Sequence, residues 1–200
     1  MTTLLFATNN QHKITEVQGV CPPEYNILGL QSAGIIKDIP EPYDTLHQNA
    51  YTKCKTIANL TGNDCFSEDT GLEVEVLNGA PGVKTARYAG DSCSNTENIK
   101  LILRNMKNFE NRDARFRTVI CLCQKDAYYY FEGVCEGRIN KNSVGENGFG
   151  YDPIFVPKNY TLTFSEMDKS VKYSISHRTL AFQQFILFLQ QKNLSNPPIN

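Results

Sequence analysis

The chain has 200 residues, of which 40% are hydrophobic and 20% charged, and its formal net charge is -1. That is the make-up of an ordinary soluble globular protein, long enough to bury a sizeable core. So even a balance offers no field for nucleic acid or a membrane surface, and an anionic ligand must be met by a local cluster of Lys and Arg. The opening Met1 to Ala7 is too short for a signal-peptide core and has no basic leader. The most apolar later run, Leu180 to Leu189, is interrupted by Gln183 and Gln184 and is too short to span a bilayer. Seven cysteines, an odd number without paired metal-ligand spacing, read as small, reduced core residues of a cytoplasmic protein.

In chain order, Leu4 to Ala7 reads as a short buried strand and Thr8 to His12 as a polar loop. Ile14, Val17 and Val20 then fall at helical spacing, and Pro22-Pro23 closes that helix. Tyr25 to Leu30 is a second strand, and Lys37 to Pro42 a loop with Glu41 between two prolines. Asp44 can cap a helix running to about Leu60, ended by Thr61-Gly62-Asn63. Asp64 to Ser67 leads into an acidic turn, Glu68-Asp69-Thr70-Gly71. A half-buried strand, Leu72 to Leu77, follows, and Asn78-Gly79 turns it. Ser94 and Glu97 have capping-box spacing before a helix with Ile99, Ile102, Leu103 and Met106. Asn108 to Asp113 is a polar connector; Arg115 to Cys123 and Tyr128 to Cys135 form a hairpin about Lys125-Asp126. Tyr151 to Val156 has strand character, Ser176 can cap a final helix to about Gln191, and Asn193 to Asn200 should fray. Helices and strands mix throughout, so the class is α/β or α+β with a mixed sheet.

Four stretches could carry chemistry. Thr8-Asn9-Asn10-Gln11-His12-Lys13 is a strand-to-helix junction, whose free amides and positive dipole suit phosphate, though an Asn helix cap explains it as well. In the acidic turn, neighbouring side chains alternate, so Glu68 and Asp69 should not share one cleft. Asp69, beside Thr70-Gly71, is the one expected to hold a hard cation or orient water, with Glu41 as a possible second carboxylate. In Gly148-Phe149-Gly150-Tyr151-Asp152 the glycines let backbone approach a ligand, and Phe149 or Tyr151 offers a ring for a flat base. Lys172 with His177-Arg178 places cations at a helix start, against the dipole, which favours a role facing a ligand.

In this order the stretches resemble the inosine/xanthosine triphosphate pyrophosphatases, the non-canonical purine nucleoside triphosphatases. The likeness covers almost the whole chain. Its motifs are Phe6-Ala7-Thr8-Asn9-Asn10 with Lys13, Ser67 to Val74, Asn78 to Val83, Ala86 to Gly90, Gly148 to Phe155, and Ile175 to Arg178. The resemblance implies an elongated mixed central β-sheet flanked by helices, in two lobes with a nucleotide cleft between them, as a single domain over 1–193. It implies a cytoplasmic homodimer that uses Mg²⁺ to split dITP, ITP and XTP into monophosphate and pyrophosphate. Carried over residue by residue, Thr8 to Lys13 contact phosphate, Asp69 is the catalytic and metal carboxylate, and Thr70 touches substrate. Phe149, Gly150, Tyr151, Asp152, Lys172, His177 and Arg178 hold base and triphosphate, Glu41 is a second metal carboxylate, and Lys53 a phosphate contact. Gln48 stands where the family usually has Glu, Lys84 where an aromatic is frequent, and Tyr173 where Asn or Ser is common; Gln48 would leave the metal region one charge less negative. A relative with another base preference, or a non-catalytic nucleotide-binding protein, are the competing readings.

Overall fold

Two short strands joined by a helix open the structure, a computed structural model that describes residues 1–36 and 39–195. Strand β1 (Thr2–Phe6) is followed by helix α1 (Gln11–Val20) and β2 (Tyr25–Gly29). Because β1 and β2 run parallel, the chain must cross over between them, which α1 accomplishes. Helix α2 (Leu46–Thr61) and β3 (Cys65–Val74) come next, then β4 (Pro81–Gly82), α3 (Asn95–Asn105), β5 (Asp113–Gln124), β6 (Ala127–Ile139), β7 (Phe155–Pro157), α4 (Lys169–Ile175) and α5 (His177–Ser195). The sheet order is β2-β1-β3-β5-β6-β7, with β4 paired beside β3. β1 pairs parallel with β2 and β3, and all other pairs are antiparallel. This is the expected mixed α/β sheet flanked by helices.

The run Val119-Ile120-Cys121-Leu122-Cys123 shows why the centre of the sheet is apolar without alternation. Val119, Cys121 and Cys123 pack under α2 with Ala50, Cys54 and Ile57, while Ile120 and Leu122 pack under α5 with Phe182, Phe185 and Phe66. Side chains alternate faces along a strand, and here both faces are covered. Phe66 is stacked on Phe6 at 4.4 Å and tilted against Phe185 at 4.9 Å. A third core gathers Leu72, Val74, Ile102, Met106, Phe116 and Phe155 at the other end of the long strands, forming the second lobe. All seven cysteines are free, and five are buried.

Several boundaries differ from the sequence-based expectation. Glu68-Asp69-Thr70-Gly71 is not a turn: β3 runs unbroken from Cys65 to Val74, paired with β5 throughout. Gly71 is needed because a Cβ there would sit 2.8 Å from the Gly82 carbonyl oxygen, where β4 crosses. The strand expected to reach Leu77 stops at Val74, and Glu75–Leu77 form a 3₁₀ turn ending at Asn78 with φ 55°. Thr45, not Asp44, caps α2, its hydroxyl accepting from the Gln48 amide at 3.2 Å. Strand character in Tyr151 to Val156 shrinks to β7, preceded by a 3₁₀ turn at Asp152–Ile154. The Ser94–Glu97 capping box is present, and Lys125 and Asp126 turn the hairpin with φ of 50° and 63°, the left-handed pair a two-residue hairpin needs. Helix α5 continues to Ser195, past the expected Gln191; Lys37 and Asp38 of the expected loop and 196–200 of the expected tail lie outside the described residues.

Candidate active site

A cleft of about 560 Å³ opens beside β3, lined from the β1–α1 loop, the Glu41 loop, α2, the segment after β4, the Phe149 loop, α4 and the start of α5. Every residue expected to bind substrate or metal lines it except Gln11, which begins α1 exposed and away from the cleft.

The two carboxylates of β3 part company as strand geometry requires. Asp69 Oδ1 accepts from Lys53 Nζ at 2.9 Å, and its Oδ2 from Asn49 Nδ2 at 3.4 Å. Lys53 Nζ also donates to Glu41 Oε1 at 2.5 Å. Asp69 and Glu41 thus share the Lys53 ammonium through one oxygen each, and their other oxygens, Asp69 Oδ2 and Glu41 Oε2, are not on it. Two carboxylates brought this close, each with an oxygen to spare, are the donor set a hard divalent cation takes when phosphates and waters complete its shell. Among the described residues no group of three or more His, Cys, Asp or Glu could hold a metal by itself. Burial pushes the Asp69 carboxyl up, and although Lys53 opposes this, Glu41 adds to it, so the group stays above the ordinary aspartate range. A carboxylate so disposed is a better base than an exposed one.

Glu68 points the other way, fully enclosed. It accepts from Arg178 Nε at 2.9 Å and Nη2 at 2.9 Å, and pairs with Lys13 at 3.1 Å. Burial alone would raise its carboxyl, but Arg178 and Lys13 outweigh burial and hold it well below the usual range. Arg178 also donates through Nη1 to Glu16, whose other oxygen accepts from Lys172 at 2.6 Å. Lys172 completes the line with Asp152 at 2.7 Å, and Asp152 in turn accepts the Phe149 amide at 2.8 Å. Charges therefore alternate without a gap from Lys13 to Asp152, linking the α1 loop to the Phe149 loop. This explains how two basic residues tolerate the region of the α5 N-terminus: Arg178 is neutralised by carboxylates on both sides, and burial keeps His177 neutral, its imidazole well below the ordinary range.

His177 lies stacked on Phe116, 4.5 Å between ring centres and 15° from parallel. Its Nδ1 is the one buried side-chain nitrogen or oxygen without a hydrogen-bond partner among the described residues. A buried polar atom left without a partner is costly, and this one belongs to a residue that lines the cleft. Nearby, Phe149 stacks on His12 at 5.1 Å, with Lys172 and Arg178 each 5.5 Å from its ring. Tyr151, the other candidate for stacking, is buried in the second-lobe core and spends its hydroxyl on the Thr85 carbonyl at 2.9 Å. Gly148, at φ 80°, leaves the space that Asp152 fills, and Gly150, at φ 62°, supplies conformation only.

The α1 loop is more occupied than expected. Asn10 Oδ1 itself caps the helix, accepting from the His12 and Lys13 amides at 3.0 and 3.2 Å, and Asn10 N donates to Thr8 Oγ1 at 3.1 Å. The groups left there that suit an anion are the Lys13 ammonium, paired with Glu68 at 3.1 Å, and the positive end of the helix. Gln48 lies exposed beside Thr45 and does not line the cleft, so its missing charge does not bear on the Asp69–Glu41 pair. Glu16, Asn49 and Phe116 carry no signal of a site in the sequence: none falls in a stretch whose local pattern points to chemistry.

The model of the Ham1 family matches residues 4–188. The dITP/XTP pyrophosphatases of Flavobacterium johnsoniae and Flavobacterium psychrophilum are each 44% identical, covering 92% and 94% of this chain and 95% and 98% of those proteins. The Ham1 protein structures from Staphylococcus aureus and Coxiella burnetii superpose with TM-scores of 0.86 and 0.87 at 35% and 34% identity, over 96% of this chain and all of theirs. Matched by the family model over most of its length and by relatives and structures that it covers almost completely, this chain belongs to the Ham1 family.

Proposed function

We propose that the protein hydrolyses non-canonical purine nucleoside triphosphates, dITP, ITP and XTP or dXTP, to the monophosphate and pyrophosphate, and so clears them from the nucleotide pool. One observation carries this reading: a single cleft is lined both by the Asp69–Lys53–Glu41 cluster and by Phe149 and His177, the last with an unpartnered ring nitrogen. The first suits phosphate chemistry and the second suits a polar planar base.

Around the cleft Lys13, Lys53, Arg87, Lys172 and Arg178 are balanced by Glu16, Glu41, Glu68, Asp69 and Asp152. A site with no net charge cannot by itself neutralise a triphosphate, which supports a nucleotide that arrives with Mg²⁺. Asp69 and Glu41 are the residues that would hold it. When bound, the ion would act as a Lewis acid that lowers the charge of the phosphate oxygens. Asp69 orients the attacking water and takes its proton, Lys53 keeps the Asp69 carboxylate in place, and Lys13 faces the phosphates. Attack at the α-phosphorus expels pyrophosphate, so charge grows on the bridging oxygen, where cations stabilise it.

Base choice rests on the 6-oxo group shared by hypoxanthine and xanthine. A donor from His177 or Arg178 pairs with that oxygen but meets the 6-amino group of adenine donor to donor, and a site that buries such a mismatch can discriminate by about 10⁴ or more. Replacing His177 by Phe keeps the stack on Phe116 and removes Nδ1. This variant is expected to fold as stably as wild type while its preference for dITP over dATP in kcat/KM collapses; unchanged selectivity would remove His177 from base reading. The function itself is tested by pyrophosphate release from dITP, XTP, dTTP and dGTP with Mg²⁺ and with chelator. Release confined to 6-oxo purines lacking the guanine amino group, and abolished by chelator, is expected; equal rates on dTTP would sink the assignment. The same reading carries a homodimer acting in the cytoplasm, with 1–193 as the catalytic unit. Among the described residues no helix is long and apolar enough to cross a membrane.

A further inference from the structure

Arg87 has no task in the chemistry above, yet it stands at the cleft with its guanidinium towards Glu41. It ends a 3₁₀ turn, Thr85–Arg87, held tightly at the backbone. The Arg87 amide donates to Lys84 O at 2.9 Å, and the Thr85 hydroxyl accepts from Leu72 N at 2.8 Å and donates to Gly82 O at 2.6 Å. The side chain is far less constrained: Arg87 Nη1 meets Glu41 Oε2 once, at 3.4 Å. Its side chain is 40% exposed, against 17% for Lys13, 8% for Lys53, 7% for Lys172 and 3% for Arg178. Lys53, Lys172 and Arg178 are each locked between two carboxylates. A single long pair at such exposure is worth little and is easily exchanged. A guanidinium fork also matches the oxygens of a phosphate two at a time.

We propose that Arg87 is the residue that receives the pyrophosphate end of the substrate, giving up Glu41 for the terminal phosphates as the nucleotide enters. The exchange costs Arg87 one weak contact and leaves Glu41 Oε2 free to face the cleft, while Glu41 Oε1 stays on Lys53. Arg87 then holds the leaving pyrophosphate rather than the base. This inference rests on the proposed hydrolysis.

Calorimetric titration with inorganic pyrophosphate and, separately, with dIMP tests it, using wild type, Arg87→Ala and Arg87→Lys in Mg²⁺. Arg87→Ala is expected to weaken pyrophosphate binding on the order of 10–100-fold, the scale of hydrogen bonds to a charged group, with dIMP binding unchanged. Arg87→Lys should recover part of the loss, since a point charge replaces the fork, and KM for dITP should rise in Arg87→Ala. Pyrophosphate binding equal to wild type in Arg87→Ala, or an equal loss of dIMP binding, overturns the assignment while dITP turnover by wild type leaves the function standing. Wild type that turns over no dITP overturns both.

Discussion

Asp69→Asn is expected to lower kcat for dITP by about 10²–10⁴-fold, the usual contribution of a positioned general base, with folding preserved. Asparagine has the same outline and can still accept a hydrogen bond from Lys53, which keeps Glu41 as its ionic partner at 2.5 Å. What disappears is a carboxylate that burial has made more basic than an exposed aspartate and the second anionic donor for a divalent cation. Single-turnover kinetics with dITP, alongside a thermal melt, separates these effects from unfolding. A melt like wild type with kcat reduced less than about tenfold would assign the base to another group.

Glu16→Ala is expected to be strongly destabilising, costing about 3–5 kcal/mol. Glu16 is shared by Lys172 and Arg178, and both of those are buried, so its removal leaves two enclosed cations each short of a partner. A fall in the urea midpoint at unchanged slope is the measurement. The pH dependence follows with a definite sign. Burial raises the Glu16 carboxyl, but Arg178 and Lys172 outweigh burial and hold it below the ordinary glutamate range. A carboxyl depressed in the folded state stabilises fully above its unfolded value and loses that contribution as pH falls through the folded one. The gap in stability between wild type and Glu16→Gln should therefore be widest at neutral pH and narrow below about pH 4.5, near the unfolded glutamate value. A gap that stays constant down to the acid unfolding limb would show that the charge of Glu16 is not what stabilises the cluster.

Glu16 also shows what local pattern could not reveal. In α1 it looked like any solvated helical glutamate, and its partners lie 156 and 162 residues further on. Lys172 reads with His177 and Arg178 as the start of the last helix, yet it belongs to α4, a separate helix of seven residues, too brief for apolar periodicity to register. Thr70-Gly71 suggested a turn because glycine so often marks one. Here it instead admits the backbone of β4, a contact with Gly82 that no local reading contains. By contrast, the elements that local chemistry dictates were legible: the Ser94–Glu97 box, the hairpin about Lys125-Asp126, and the end of α2 at Gly62. The alternation argument that separated Glu68 from Asp69 held even though the turn did not. It depends only on extended backbone, and β3 is extended throughout. Residues named through the family resemblance nearly all reached the cleft. Glu16, behind them, and Phe116, which also lines the cleft, had no motif to announce them.

In the proposed reaction, water held at Asp69 attacks the α-phosphorus. Hydrolysis of dITP in ¹⁸O-labelled water, read by mass spectrometry of both products, shows directly which phosphorus the water attacks. The label is expected in dIMP, with unlabelled pyrophosphate released alongside it. Label in the pyrophosphate, or release of orthophosphate as the first product, would place the attack at another phosphorus and contradict the role given to Asp69.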